Sequence, residues 1–281
     1  MQQLGSVSAS RRLLIWRAYP AAMRRRHQAA GARERQYHLP GADKAVAALA
    51  VVAVVLVGLS LLTRYLAYRR ELATPGIAPP SWMVLFDVNA EANVPTWFTV
   101  ALMVFAGAVA AGAGLVIYPT SRSVGRFFLA LAAVLLLLSL DEFVGLHERL
   151  GTLGAAALGR SALHFTWVVP GALLAGILLV ALLLGGRSLP RATRRRLTVA
   201  LAVYLTGVLV VEAVSGQVLL AYGDRAAYLL VTGVEELLEM LGLLLVLRAV
   251  LGSIQAERVG EGWLLRPVGS HATAARNSSD V

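Results

Sequence analysis

The chain has 281 residues, 58% of them hydrophobic and 15% charged, with a mean hydropathy of +0.69. Soluble domains are nearer half apolar and a quarter charged, so this composition excludes an ordinary soluble enzyme, and the long aliphatic runs exclude a disordered or collagen-like chain. Cysteine is absent, which removes disulfides and thiolate metal ligands, while the formal charge of +10 fits a membrane surface rather than nucleic acid.

Residues 1–43 are polar and basic, and are expected to form a disordered cytoplasmic extension. They lack the apolar core of a cleaved signal peptide. Within them Arg11–Ala22 suits contact with anionic lipid at the cytoplasmic face. Six apolar stretches follow, at 45–67, 94–117, 127–149, 163–185, 197–221 and 227–251. Each is about 20 residues, the length a helix needs to cross a ~30 Å hydrocarbon core. Their apolar character is continuous rather than alternating, which predicts helices and not barrel strands. The expected fold is all-α: a polytopic membrane bundle of six transmembrane helices over 44–252, followed by a disordered cytoplasmic tail over 253–281.

Of the 26 Lys and Arg, 20 fall on one side of this arrangement. They sit before the first span, in the turns after the second and fourth, and at the end of the sixth. Basic residues stay cytoplasmic, so both termini are expected inside, in the cell membrane. The first outer loop ends Asp87-Val-Asn89-Ala-Glu91-Ala-Asn93-Val-Pro95. Its D-x-N-x-E spacing resembles the start of a calcium loop, without the glycine or the distant Glu of an EF-hand. It reads better as a polar cap over the outer end of the bundle, with Asn93 as N-cap of the second span.

The third span ends Asp141-Glu142-Phe-Val-Gly145-Leu-His147-Glu148-Arg149. The fifth holds Glu212, and the sixth holds Glu235, Glu236 and Glu239. A charge at mid-membrane costs about 2.5–3.5 kcal/mol on insertion scales, so seven such acids need compensation or a polar cavity. At 1.5 Å per residue, Asp141, Glu212 and Glu235 lie roughly 12–14 Å below the outer surface. The expectation is a single site in the outer half of the bundle. Asp141, Glu212, Glu235 and Glu239 are its divalent-cation ligands, supported by Glu142, Glu148, Glu236 and His147. Glu91, Asn93, His164, Ser215, Tyr228 and Thr232 line it. A regular helix turns His147 about 120° from Asp141, so His147 joins only if the helix end unwinds. Pro170 is expected to kink the fourth span, and Trp167 to sit in the interfacial belt beside His164.

Four segments carry a resemblance: Phe86-Asp-Val-Asn89-Ala-Glu91-Ala-Asn93-Val-Pro95-Thr-Trp97-Phe98, Leu138-Ser-Leu-Asp141-Glu142-Phe-Val-Gly145-Leu-His147-Glu148-Arg149-Leu150, Phe165-Thr-Trp167-Val-Val-Pro170-Gly171 and Val234-Glu235-Glu236-Leu-Leu-Glu239-Met-Leu-Gly242. Together they resemble a group of functionally uncharacterised bacterial multi-pass membrane proteins, which implies the six-helix fold and no mechanism.

Three functions remain open on the residues alone. Carboxylates with His suit Zn, Mn or Fe in a metal-dependent membrane enzyme. Intramembrane acids also serve proton- or cation-coupled transporters. A structural or accessory protein would pair the acids with Arg149, Arg160 and Arg225.

Overall fold

The computed structural model describes residues 39, 41–74, 76, 80–158, 164–259 and 262–268. Most of the basic extension over 1–43, and the tail beyond 268, lie outside the described residues.

Six long helices occur among the described residues: α1 (Ala42–Ala73), α2 (Val94–Ile117), α3 (Arg122–Val144), α4 (Val168–Gly185), α5 (Arg191–Tyr222) and α6 (Ala226–Leu251). Each falls on one of the expected apolar stretches. Helices α1 to α5 are long and apolar enough to cross a membrane. Helix α6 has 26 residues and carries Glu235, Glu236 and Glu239 near its middle.

Where helix ends depart from expectation, turn chemistry decides. The third stretch does not run unbroken to Arg149. It stops at Gly145, whose φ of 63° and ψ of 43° are left-handed, and restarts as a single turn, Leu146–Arg149. Glycine takes that conformation without a Cβ penalty. Pro170 does not kink α4, because α4 starts only at Val168. In the first turn a proline has no intrahelical donor to lose. Asn93 caps α2 as expected, its side chain accepting from the Thr96 amide at 3.0 Å. Helix α5 is interrupted by a π-helical segment, Thr206–Val211. The Thr206 hydroxyl bonds back to the Ala202 carbonyl at 2.7 Å, competing with the regular ladder just where Gly207 weakens it.

Packing follows side-chain size. Helices α2 and α3 pack most extensively, and closely at Gly107 and Gly114, where an added Cβ would come within 3.3 Å of Leu136 and 2.9 Å of Leu129. Such small residues let two backbones approach in lipid, where apolar burial gives little drive. Helix α6 runs through the middle, against α1, α2 and α5. It meets α5 closely at Gly242, where an added Cβ would come within 2.6 Å of the Tyr204 amide nitrogen. Helix α4 stands at the edge, with only 6% of its apolar window buried.

The tail expected to be disordered from 253 begins instead with an antiparallel hairpin, β1 (Ile254–Val259) and β2 (Gly262–Pro267). Its physical basis is apolar burial at the bundle's end: Ile254 and Ala256 are buried, Ile254 within the main core, and β2 lies against α2.

Candidate functional site

The left-handed turn at Gly145 decides the site. It folds the chain back so that the His147 backbone amide donates to Asp141 Oδ1 at 2.7 Å, and His147 Nδ1 lies 3.1 Å from Asp141 Oδ2. The 120° separation of a regular helix is thereby removed. A carboxylate on Nδ1 favours the tautomer with its proton there, leaving Nε2 the basic nitrogen.

The His147 ring packs on Trp167, centroids 4.6 Å apart, and Trp167 Nε1 donates to Glu212 Oε1 at 3.1 Å. Trp167 is therefore buried within the bundle and is not a belt residue; the turn 164–167 carries it inward, where its N–H meets an acid. Glu212 opens the last segment of α5, directly after the π segment. Glu235 of α6 lines the same polar cavity as Glu212 and Ser215. Ser215 is buried, and its hydroxyl donates to the Glu212 carbonyl at 2.9 Å. Glu235 is 6% exposed, and its Oε2 has no hydrogen-bond partner. Glu239 packs beside Gly207, where an added Cβ would meet its Cγ at 2.8 Å. The π segment thus lets α5 close on the acidic turn of α6.

Two cavities share this wall of His147, Trp167, Glu212, Glu235 and Glu236. One, of about 330 Å³, is polar and lies under the 88–96 loop, with Asn89, Glu91, Glu142, His164, Ser215 and Tyr228 around it. The other, of about 430 Å³, takes in Asp141 and Glu239 and continues between α3, α4 and α5 over aliphatic side chains.

The remaining expected residues take other places. Asn93 serves as the α2 cap, its amide also donating to the Asp87 and Ala90 carbonyls. Asn89 instead reaches α6, accepting from the Tyr228 hydroxyl at 2.9 Å. Asp87 holds no calcium-loop geometry; its Oδ1 accepts from the Asn89 amide and pairs with Arg64. Thr232 lies outside both cavities, bonded to the Tyr228 and Leu229 carbonyls and to Arg64. His164 is exposed, edge-on to Phe165 at 4.7 Å. The side chain of Glu148 is outside the described set.

No Arg or Lys among the described residues pairs with Asp141, Glu142, Glu212, Glu235, Glu236 or Glu239. Arg64, half-buried, is spent on Asp87 at 3.5 Å and Asp224 at 2.7 Å. Arg149 points its guanidinium at the Val144 carbonyl. Likewise, no three His, Asp or Glu among the described residues converge as a metal shell.

Sequence reasoning missed Gly145 as the hinge of the Asp141–His147 pair, Trp167 as a donor to Glu212, and Arg64 as the fastening of the loop at Asp87. The first carried a signal: glycine between two polar positions at a helix end.

No curated protein and no solved structure matches the chain. A family does: the one described as "Domain of unknown function (DUF8692)" matches residues 45–253, well over half of the sequence, and the chain belongs to that family.

Proposed function

We propose that this is a six-span protein of the cell membrane, both termini cytoplasmic, and that its outer half holds the acid–base site of a membrane-embedded enzyme. The Lys and Arg distribution supports the orientation. Single cysteines at Ala156 and Ala192 in this cysteine-free chain should be labelled from outside and from inside, respectively. Labelling of both from one side would sink the topology.

One observation carries the function: an Asp141–His147 pair stands beside the Glu212–Glu235 pair, in a wall between a polar and an apolar cavity. Asp141 orients the imidazole, and neighbouring carboxyl groups share protons readily, so donors and acceptors are assembled before any substrate arrives. Proton or cation transport is less well supported. Below the acids the larger cavity is walled mainly by leucines of α3, α4 and α5, with Tyr204 among them, so an ion would meet few hydrogen-bonding groups.

A second reading keeps a divalent cation such as Zn, Mn or Fe. It is favoured by the acids' charge, which no Arg or Lys among the described residues offsets and which protons or a bound cation must meet. Infrared difference spectra and metal analysis separate the two. A carboxylic C=O band that disappears in Glu235→Gln, in protein whose melting ignores chelators, supports the acid–base site. Stoichiometric metal, whose chelation lowers Tm in wild type and not in Glu235→Gln, replaces it with the cation reading.

A further inference from the structure

The larger cavity is divided by polarity. Its upper end is the acidic wall. Its lower part is bounded mainly by Leu138 of α3, Leu174, Leu178 and Leu182 of α4, and Leu201 and Leu205 of α5, with Tyr204 between the last two. From Gly171 to Leu182 the lining extends eleven residues along α4, about 16 Å at 1.5 Å per residue. That is about half of a ~30 Å hydrocarbon core, the depth taken by the chains of one leaflet. Helix α4, which forms one wall, is the least buried of the five apolar helices, so the chamber borders directly on lipid.

The upper end fixes the head group. Glu235 is more than nine-tenths buried, lines both cavities, and keeps one oxygen without a partner. Glu212, Glu236 and Glu239 share its cavity, and none has an Arg or Lys counter-ion among the described residues. An anionic head would meet no cation there among the described residues. A hydroxyl would offer one donor and no charge. An ammonium group supplies both a donor and a positive charge.

We propose that the chamber binds a membrane amphiphile by its alkyl chain, with an ammonium head against Glu235 and Glu212, the substrate class of the acid–base site on which this inference rests. The polar cavity on the other side of Trp167 gives water and small polar reactants access to that head.

The test is equilibrium binding of labelled tetradecylamine, tetradecanol and tetradecanoate to the full chain in phosphatidylcholine nanodiscs, corrected for empty discs. The expected result is one saturable amine site, at least tenfold tighter than for the alcohol and the carboxylate. Ala175→Phe, which fills the chamber, and Glu235→Gln should each weaken it at least tenfold. Leu173→Phe, on the exposed face of α4, should leave it unchanged. Leu178→Trp provides a second obstruction should Ala175→Phe not fold. Non-saturable uptake, equal affinity for the three heads, or amine binding indifferent to both obstructions overturns the proposal. If such a failure coexists with an intact Glu235 infrared band, this inference falls and the acid–base site stands. If the band is missing in wild type, the acid–base reading falls as well.

Discussion

Helices α4 and α6 invert the relation between hydrophobicity and burial that soluble proteins teach. Helix α4, from Val168 to Gly185, contains no charged residue, yet 6% of its apolar window is buried and Leu173 is 67% exposed. Helix α6 carries three glutamates and runs through the middle of the bundle, with Glu235 only 6% exposed. In water, burying a leucine removes it from an unfavourable solvent. In a bilayer the alternative environment is equally apolar, so contact between leucines is weakly driven. Polar side chains have the opposite preference and collect inside. The difference teaches that position here is set by polarity and by backbone fit.

The largest test of this view is at Gly242. An alanine Cβ there would lie 2.6–2.7 Å from the Tyr204 backbone, which cannot yield as a flexible side chain would. Gly242→Ala should therefore force α5 and α6 apart and cost about 3 kcal/mol, the upper end for overpacking. At Gly176, in the middle of α4, an added Cβ meets nothing within 4 Å. The same substitution there should stabilise by about 0.5–1 kcal/mol, through reduced backbone entropy alone. Thermal melts of the two variants in one detergent check the opposite signs. A shared sign would mean that helix propensity, and not the α5–α6 approach, governs both positions.

The contrast also explains what the sequence discloses. The helix positions are legible because apolar length is a one-dimensional property, and the 94–117 stretch falls on α2 from Val94 to Ile117. The acids are legible because any carboxylate inside such a stretch violates its composition. Their assembly is not, because it depends on backbone departures smaller than the hydropathy pattern. Gly145 reads as one more tolerated glycine in a helix, yet it redirects His147 onto Asp141. Thr206 and Gly207 look like ordinary span residues, yet the π segment they open precedes Glu212 and presses α5 onto Glu239. Arg64 has no local sign that its partners lie on the loop before α2 and the α5–α6 turn. The hairpin at 254–267 carries strand-like residues around Gly260-Glu261-Gly262, a turn signal obscured by the polar tail.

A smaller effect is expected at the hinge between the two regions. With φ at 63°, Gly145→Ala places a Cβ in the left-handed region, which costs about 1–2 kcal/mol. Relief comes from continuing α3 as a regular helix, and that carries His147 away from Asp141. The variant should melt a few degrees lower and lose the coupling between the two side chains. Asp141→Asn should shift the His147 ring resonances in wild type and leave them almost unmoved in Gly145→Ala. An equal shift in both backgrounds would show that the pair forms without the left-handed turn.

The smallest effect is expected on the outer face of α4. In a soluble core, Leu→Ala costs about 2–5 kcal/mol, because transfer from water and the cavity left behind add together. At Leu173 neither contribution operates. The side chain is 67% exposed, so its removal leaves a gap that lipid chains fill, and it meets hydrocarbon whether α4 is packed or separated from its neighbours. Leu173→Ala should therefore change stability by less than about 0.5 kcal/mol. Measured in lipid nanodiscs, a loss of 2 kcal/mol or more would mean that Leu173 is covered in the membrane by another protein surface. Helix α4 would then be an interface, and the inversion between α4 and α6 would belong to the isolated chain alone.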